Sequence, residues 1–261
     1  MDIDVGGVRL NYILEGPPAA PVITFSNSLM TDLSLWDWQA QTLKARFRVL
    51  RYDIRGHGRS DASAPPYCFD TLLGDILAIW DALDIARSHV VGLSIGGMTA
   101  LGLALAASER LASLTLCSMR ADAPQAFRES WNPRIATAMA EGMSALAKPT
   151  VDRWFSLDFT DADIRARVEA MVAATAVDGF VGGAQAIQTL DYLPQVRSLR
   201  VPTLLLAGSQ DGVLPAAMQD LAAEIAGARY HELNGAGHLI NLERPAEVTE
   251  AIEQFIVSHS D

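Results

Sequence analysis

The organisation of the chain is clearest in His89-Val90-Val91-Gly92-Leu93-Ser94-Ile95-Gly96-Gly97-Met98. An apolar run ends in Gly-x-Ser-x-Gly, and an apolar stretch free of charge follows as far as Ser108. The pattern predicts a buried strand, a sharp turn and a buried helix. A serine on such a turn is held in a strained backbone conformation, and the chain passes so close that only small residues fit two positions before and after it. Gly92 and Gly96 meet that need. A helix starting near Ile95 would aim its unpaired N–H groups at the serine, where an anion would be stabilised. The uncharged run from Val90 to Ser108 is almost long enough to cross a bilayer, but Gly92, Ser94, Gly96, Gly97 and Gly102 interrupt it. A strand–turn–helix unit accounts for it better than a membrane span.

Along the chain, β-rich runs recur at Val8 to Leu14, Pro21 to Phe25, Phe47 to Tyr52, Ser88 to Leu93, Leu111 to Cys117, Val201 to Ala207 and Arg229 to Leu233. Between them lie helical patterns at Trp38 to Ala45, Asp70 to Leu83, Ile95 to Ala107, Ala216 to Ala226 and Ala246 to Val257. Strands alternating with helices predict an α/β fold with a mostly parallel sheet covered on both faces. The alternation fails between Arg120 and Arg197, where helical stretches such as Ile135 to Leu146 and Ala162 to Ala174 follow one another. Residues 120–197 are therefore expected to form an inserted helical cap over the ligand-binding end of a core made of 1–119 and 198–261.

A serine hydroxyl needs a base, and the base needs an acid to hold its tautomer and stabilise its charged form. Of five histidines, His238 lies in Asn234-Gly235-Ala236-Gly237-His238-Leu239, a glycine-rich loop after the last expected strand. Glycines let such a loop fold back over the strand end. His259 is close to the C-terminus, His89 begins the nucleophile strand on the wrong side of the turn, and His231 lies inside a strand. His57, in Arg55-Gly56-His57-Gly58-Arg59-Ser60, is kept as an outside candidate near the site's rim. Asp211 follows the preceding strand in the same way as His238 and precedes it in the chain, giving Ser94, Asp211 and His238 as candidate catalytic residues. The oxyanion hole would use the backbone N–H of Ile95 and one from the loop Ser26-Asn27-Ser28-Leu29-Met30-Thr31-Asp32, with Leu29 preferred and Ser28 next.

The chain has 261 residues, 20 Lys plus Arg and 31 Asp plus Glu, for a formal charge of −11. An acidic surface disfavours nucleic acid and anionic membranes as partners. Two cysteines, Cys68 and Cys117, are too few for a disulfide framework and show no metal-ligand spacing; they are expected to be reduced, buried thiols. Met1-Asp2-Ile3-Asp4-Val5 carries acids where a secretory signal would have a basic patch and an apolar run, so a cytoplasmic location is expected.

These residues resemble the α/β-hydrolase superfamily over nearly the whole chain and, within it, the 3-oxoadipate enol-lactonases. The narrower likeness rests on Ser26-Asn27-Ser28-Leu29 in place of the commoner His-Gly, Thr31-Asp32, Trp36, Arg51-Tyr52-Asp53 and Gly56-His57-Gly58-Arg59-Ser60. It continues through Gly92-Leu93-Ser94-Ile95-Gly96-Gly97-Met98-Thr99 and, in the cap, Trp131, Arg134-Ile135, Gly142-Met143 and Arg153-Trp154-Phe155. Met30 and Ile95 depart from it, standing where glycine and methionine are usual. The resemblance implies opening of an enol-lactone through an acyl-serine intermediate, without metal or organic cofactor. The implied substrate bears a free carboxylate, for which Arg134 is the candidate cation and Trp131 an apolar wall. A carboxylesterase, another lactonase, a perhydrolase or a C–C bond hydrolase would share the triad. A dehalogenase or epoxide hydrolase would need a carboxylate where Ser94 stands, and a non-catalytic receptor on this scaffold need not keep all three chemical groups.

Overall fold

The computed structural model describes residues 1–259. Its strands are β1 (Asp2–Val5), β2 (Val8–Glu15), β3 (Val22–Ser26), β4 (Arg48–Tyr52), β5 (Ser88–Leu93), β6 (Leu111–Cys117), β7 (Thr203–Gly208) and β8 (Arg229–Leu233). They form one sheet in the order β1-β2-β4-β3-β5-β6-β7-β8. The β1–β2 and β2–β4 pairings are antiparallel, and every later pairing is parallel. β5 and β7 are buried at every position, as continuous apolar strands sandwiched between helices must be. The edges differ: β1 exposes Asp2 and Asp4, and β8 exposes Arg229, His231 and Glu232.

The core helices are α1 (Asp37–Leu43), α2 (Phe69–Ala82) and α3 (Ile95–Ala106). Between β6 and β7 lie α4 (Gln125–Glu129), α5 (Asn132–Glu141), α6 (Ser144–Trp154), α7 (Ala162–Ala174) and α8 (Val177–Gln188). The chain ends with α9 (Leu214–Glu224), α10 (Ile240–Glu243) and α11 (Pro245–Val257). α3 lies on β5 and β6 and beside α2, and ten of its residues are buried; it is apolar on all sides because neighbours cover all of it. α1 packs with α11.

Three expectations need correction. The helix foreseen over Ile135 to Leu146 is two helices, because Gly142 takes φ 81° and ends α5 before α6 begins. A left-handed residue at that point is a common helix stop. β1 lies outside the expected strands, because its two acids mask the alternation with Ile3 and Val5. Cys68 is exposed and only Cys117 is buried, both as free thiols. Among the described residues no single helix is long and apolar enough to cross a membrane.

Candidate active site

Ser94 separates β5 from α3 with φ 56° and ψ −120°. Its N–H donates to the Cys117 carbonyl of β6 at 2.9 Å, and its carbonyl accepts from Met98 N–H at 2.9 Å, so the turn is fixed from both sides. The flanking glycines are required by space. A Cβ on Gly92 would lie 2.3 Å from the Gly96 carbonyl oxygen, and one on Gly96 would lie 2.4 Å from that of Ser26.

Ser94, Asp211 and His238 line one cavity of about 180 Å³ with Leu29, Trp131 and Arg134. His238 Nδ1 lies 2.8 Å from Asp211 Oδ2. With Nδ1 as the donor, Nε2 is left as the acceptor, the tautomer a general base requires. The His238 ring stacks on Trp154 with centroids 5.7 Å apart, and His238 N–H donates to the Trp154 carbonyl at 2.7 Å. Sheet order brings these groups together, since the loops after β5, β7 and β8 all open at the same end of the sheet. Ser94 Oγ itself has no hydrogen-bond partner among the described residues. In sites built on a serine and a histidine, the hydrogen bond between them is commonly long until a ligand closes the site.

The loop after β3 supplies the other wall. Neither Leu29 N–H nor Ile95 N–H has an acceptor among the described residues. The Leu29 and Ile95 side chains approach Gly183 of α8, where a Cβ would meet Leu29 Cδ1 at 2.5 Å and Ile95 Cδ1 at 3.4 Å. Met30 adopts φ 64°, the left-handed conformation for which glycine is suited, and its side chain is buried and lines the cavity. Four described non-glycine residues have positive φ, and Met30, Ser94 and Ser118 among them line this one cavity. Each costs on the order of 1–3 kcal/mol, a strain that tends to collect where geometry is constrained for function.

Arg134 is partly buried over the face of Trp131, its Cζ 4.7 Å from the ring centroid, and it has no ion-pair partner among the described residues. Burial lowers its pKa, yet a guanidinium remains charged at neutral pH. Trp131 Nε1 is buried and unpartnered. Sequence reasoning missed Arg153, which lines the same cavity. Desolvation, together with the charge of Arg134, lowers the Arg153 pKa to about 10. It also missed Ser118, whose buried Oγ is unpartnered. Arg153 lay within a motif already noted, whereas nothing around Ser118 marks it out.

The other histidines lie elsewhere. His57 is buried with Nδ1 3.0 Å from the Arg55 carbonyl, and it does not line the cavity. Burial holds its pKa down to about 4. His89 pairs with Ser113 Oγ at 2.8 Å, His231 with Glu247 at 3.2 Å, and His259 Nδ1 lies 2.8 Å from the Phe255 carbonyl. A wider, open depression of about 860 Å³ lies between Arg120, Asp191, Arg197 and Asp220. No hydroxyl or imidazole side chain among the described residues lines it. No group of three potential metal ligands occurs among the described residues.

A sequence model of the alpha/beta hydrolase family matches residues 31–251. 3-Oxoadipate enol-lactonase 1 of Acinetobacter baylyi is 33% identical over 254 residues, covering 97% of this chain and 94% of that protein. 3-Oxoadipate enol-lactonase 2 of the same organism is 31% identical, covering 94% of this chain and 92% of its own. The crystal structure of the enol-lactonase from Burkholderia xenovorans LB400 superimposes with a TM-score of 0.94 at 38% identity, covering 98% of this chain and all of that one.

Proposed function

This chain belongs to the alpha/beta hydrolase family, and from that premise we propose that it is a serine hydrolase that opens an enol-lactone, with 3-oxoadipate enol-lactone as the substrate and 3-oxoadipate as the product. The observation that carries this reading is the meeting, in one small cavity, of Ser94, the His238–Asp211 pair and an arginine without a counter-ion. The enol-lactonases similar in sequence and structure support the choice of substrate. At about 180 Å³, the cavity is smaller than the roughly 300 Å³ at which drug-sized sites begin, which favours a compact substrate.

In this mechanism His238 Nε2 takes the Ser94 proton as Oγ attacks the lactone carbonyl carbon, and Asp211 steadies the imidazolium. The carbonyl oxygen becomes an oxyanion that accepts hydrogen bonds from Leu29 N–H and Ile95 N–H, whose unpaired state leaves them ready for it. Collapse breaks the ring C–O bond, His238 returns the proton to the departing enol oxygen, and the enol tautomerises to a ketone. The acyl group stays on Ser94. Water then loses a proton to His238, attacks the acyl carbon and releases Ser94 with its proton restored, leaving a second carboxylate on the product. Arg134 holds the carboxylate already present, and residues 120–197 form a cap whose Trp131 and Trp154 keep bulk water from the ester.

A panel of lactones and esters with and without an acidic tail tests the reading. The carboxylated enol-lactone is expected to give the highest kcat/KM. Equal or faster turnover of neutral long-chain esters would remove the substrate assignment, leaving a general esterase.

A further inference from the structure

We propose that Glu243 is a positioning residue that latches the cap to the loop delivering His238. The proposal rests on the reading of His238 as the base. Glu243 lies at the end of α10, five residues beyond His238, and is only 6% exposed. Its carboxyl group accepts three hydrogen bonds, which converge from two separate segments. Oε1 accepts from Gly237 N–H at 3.0 Å, on the residue preceding His238, and from Ser156 N–H at 3.1 Å. Oε2 accepts from Ser156 Oγ at 2.5 Å. Ser156 follows α6 closely, two residues after the Trp154 that stacks on His238 and accepts its N–H.

The two segments touch so closely that Gly237 cannot be replaced freely. A Cβ there would lie 2.6 Å from the Trp154 carbonyl oxygen, 2.7 Å from Ser156 N and 2.8 Å from Glu243 Oε1. From beneath, a Cβ on Gly208 would meet the Gly237 carbonyl oxygen at 2.2 Å. The imidazole is thus aimed by its own loop and by the cap together, with one buried carboxyl group joining the two. Its removal would leave three donors to find other partners, two of them backbone amides in the segments that orient the ring.

The geometry also defines a rescue. An amide at this position can keep its oxygen at the Oε1 site for both N–H donors, while its nitrogen donates to Ser156 Oγ, since a hydroxyl can accept as well as donate. Glu243→Gln therefore preserves the latch and Glu243→Ala removes it.

The readout is the rate at which a fluorophosphonate labels Ser94 in folded protein, a reaction that needs the base but no lactone, measured alongside kcat and KM for p-nitrophenyl acetate and the unfolding midpoint. Glu243→Ala is expected to slow labelling and kcat by about 10- to 100-fold well below its unfolding midpoint, with KM little changed, because small misplacements of a reacting group cost rates of that order. Glu243→Gln is expected to stay within about threefold of the original rate, its three hydrogen bonds being retained. Ser156→Ala, which removes one of the three, should slow labelling by roughly fivefold and serves if Glu243→Ala does not fold. Labelling at the original rate in folded Glu243→Ala or in Ser156→Ala overturns the proposal, as does a Glu243→Gln protein as slow as Glu243→Ala. An original protein that is not labelled at all would instead defeat the serine-hydrolase reading.

Discussion

Ser94 occupies the left-handed region at φ 56° because a β-strand and a helix meet at it with no intervening loop. That conformation pushes the side chain out of the turn, where a polar group can meet a ligand. Ser94→Ala keeps the turn and removes the oxygen; kcat is expected to fall by on the order of 10⁴ or more, as in other serine hydrolases, and near-normal turnover would defeat the mechanism. Arg134 presents a different case. Its guanidinium lies over Trp131 without a carboxylate partner in a protein of net charge −11, so its place in the cavity is not explained by a structural ion pair. Arg134→Ala should raise KM for carboxylated lactones by about tenfold or more while neutral esters change little, since a charge-assisted hydrogen bond is worth about 1.5–3 kcal/mol. Equal losses on both substrates would take Arg134 out of the binding role.

At the scale of elements, the β5–α3 junction tolerates no added atom, whereas a glycine in α2 stands in open space. Gly92→Ala would drive a methyl group to 2.3 Å from a backbone oxygen, and is expected to cost roughly 1–3 kcal/mol and several degrees of unfolding midpoint. Gly74→Ala, with nothing within 4 Å of the new Cβ, should stabilise by about 0.5–1 kcal/mol, because a helical glycine gives up more conformational freedom than alanine. Thermal unfolding of the two variants checks both signs. The same contrast explains what the sequence makes legible. The expected bounds Ser88 to Leu93, Leu111 to Cys117 and Ala162 to Ala174 coincide with β5, β6 and α7, since burial on both faces, or a capping Asp161, leaves a plain signature. Gly142 falls inside the apolar spacing of Ile135 to Leu146, which masks the stop its positive φ makes, and α6 carries Pro149 within it, which disguises a helix. Ser94, Asp211 and His238 could be picked out because glycines and strand ends flank them. Glu243 could not: in Leu242-Glu243-Arg244-Pro245 an acid looks like any surface charge, and only the fold reveals the donors around it.

For the molecule as a whole, buried titratable groups set the response to acid. Burial holds both His57 and His89 to a pKa of about 4, below the ordinary 6.5. The unfolded chain therefore takes up these protons first as pH falls. Their contribution to stability is complete above about pH 6.5 and is lost progressively down to about 4, by up to about 3 kcal/mol for each. Burial raises the Asp53 and Asp75 carboxyls, and these act in the opposite sense, so the histidine effect is best read as a difference. His57→Asn should show a shallower loss of denaturation midpoint between pH 7 and pH 4 than the original protein, and parallel curves would contradict this. An open sheet invites another chain to extend its ladder, and acids along one border with mixed charges along the other make that addition costly for a second copy. The molecule thus carries a built-in guard against fibrous self-association, one that would weaken if those borders were neutralised.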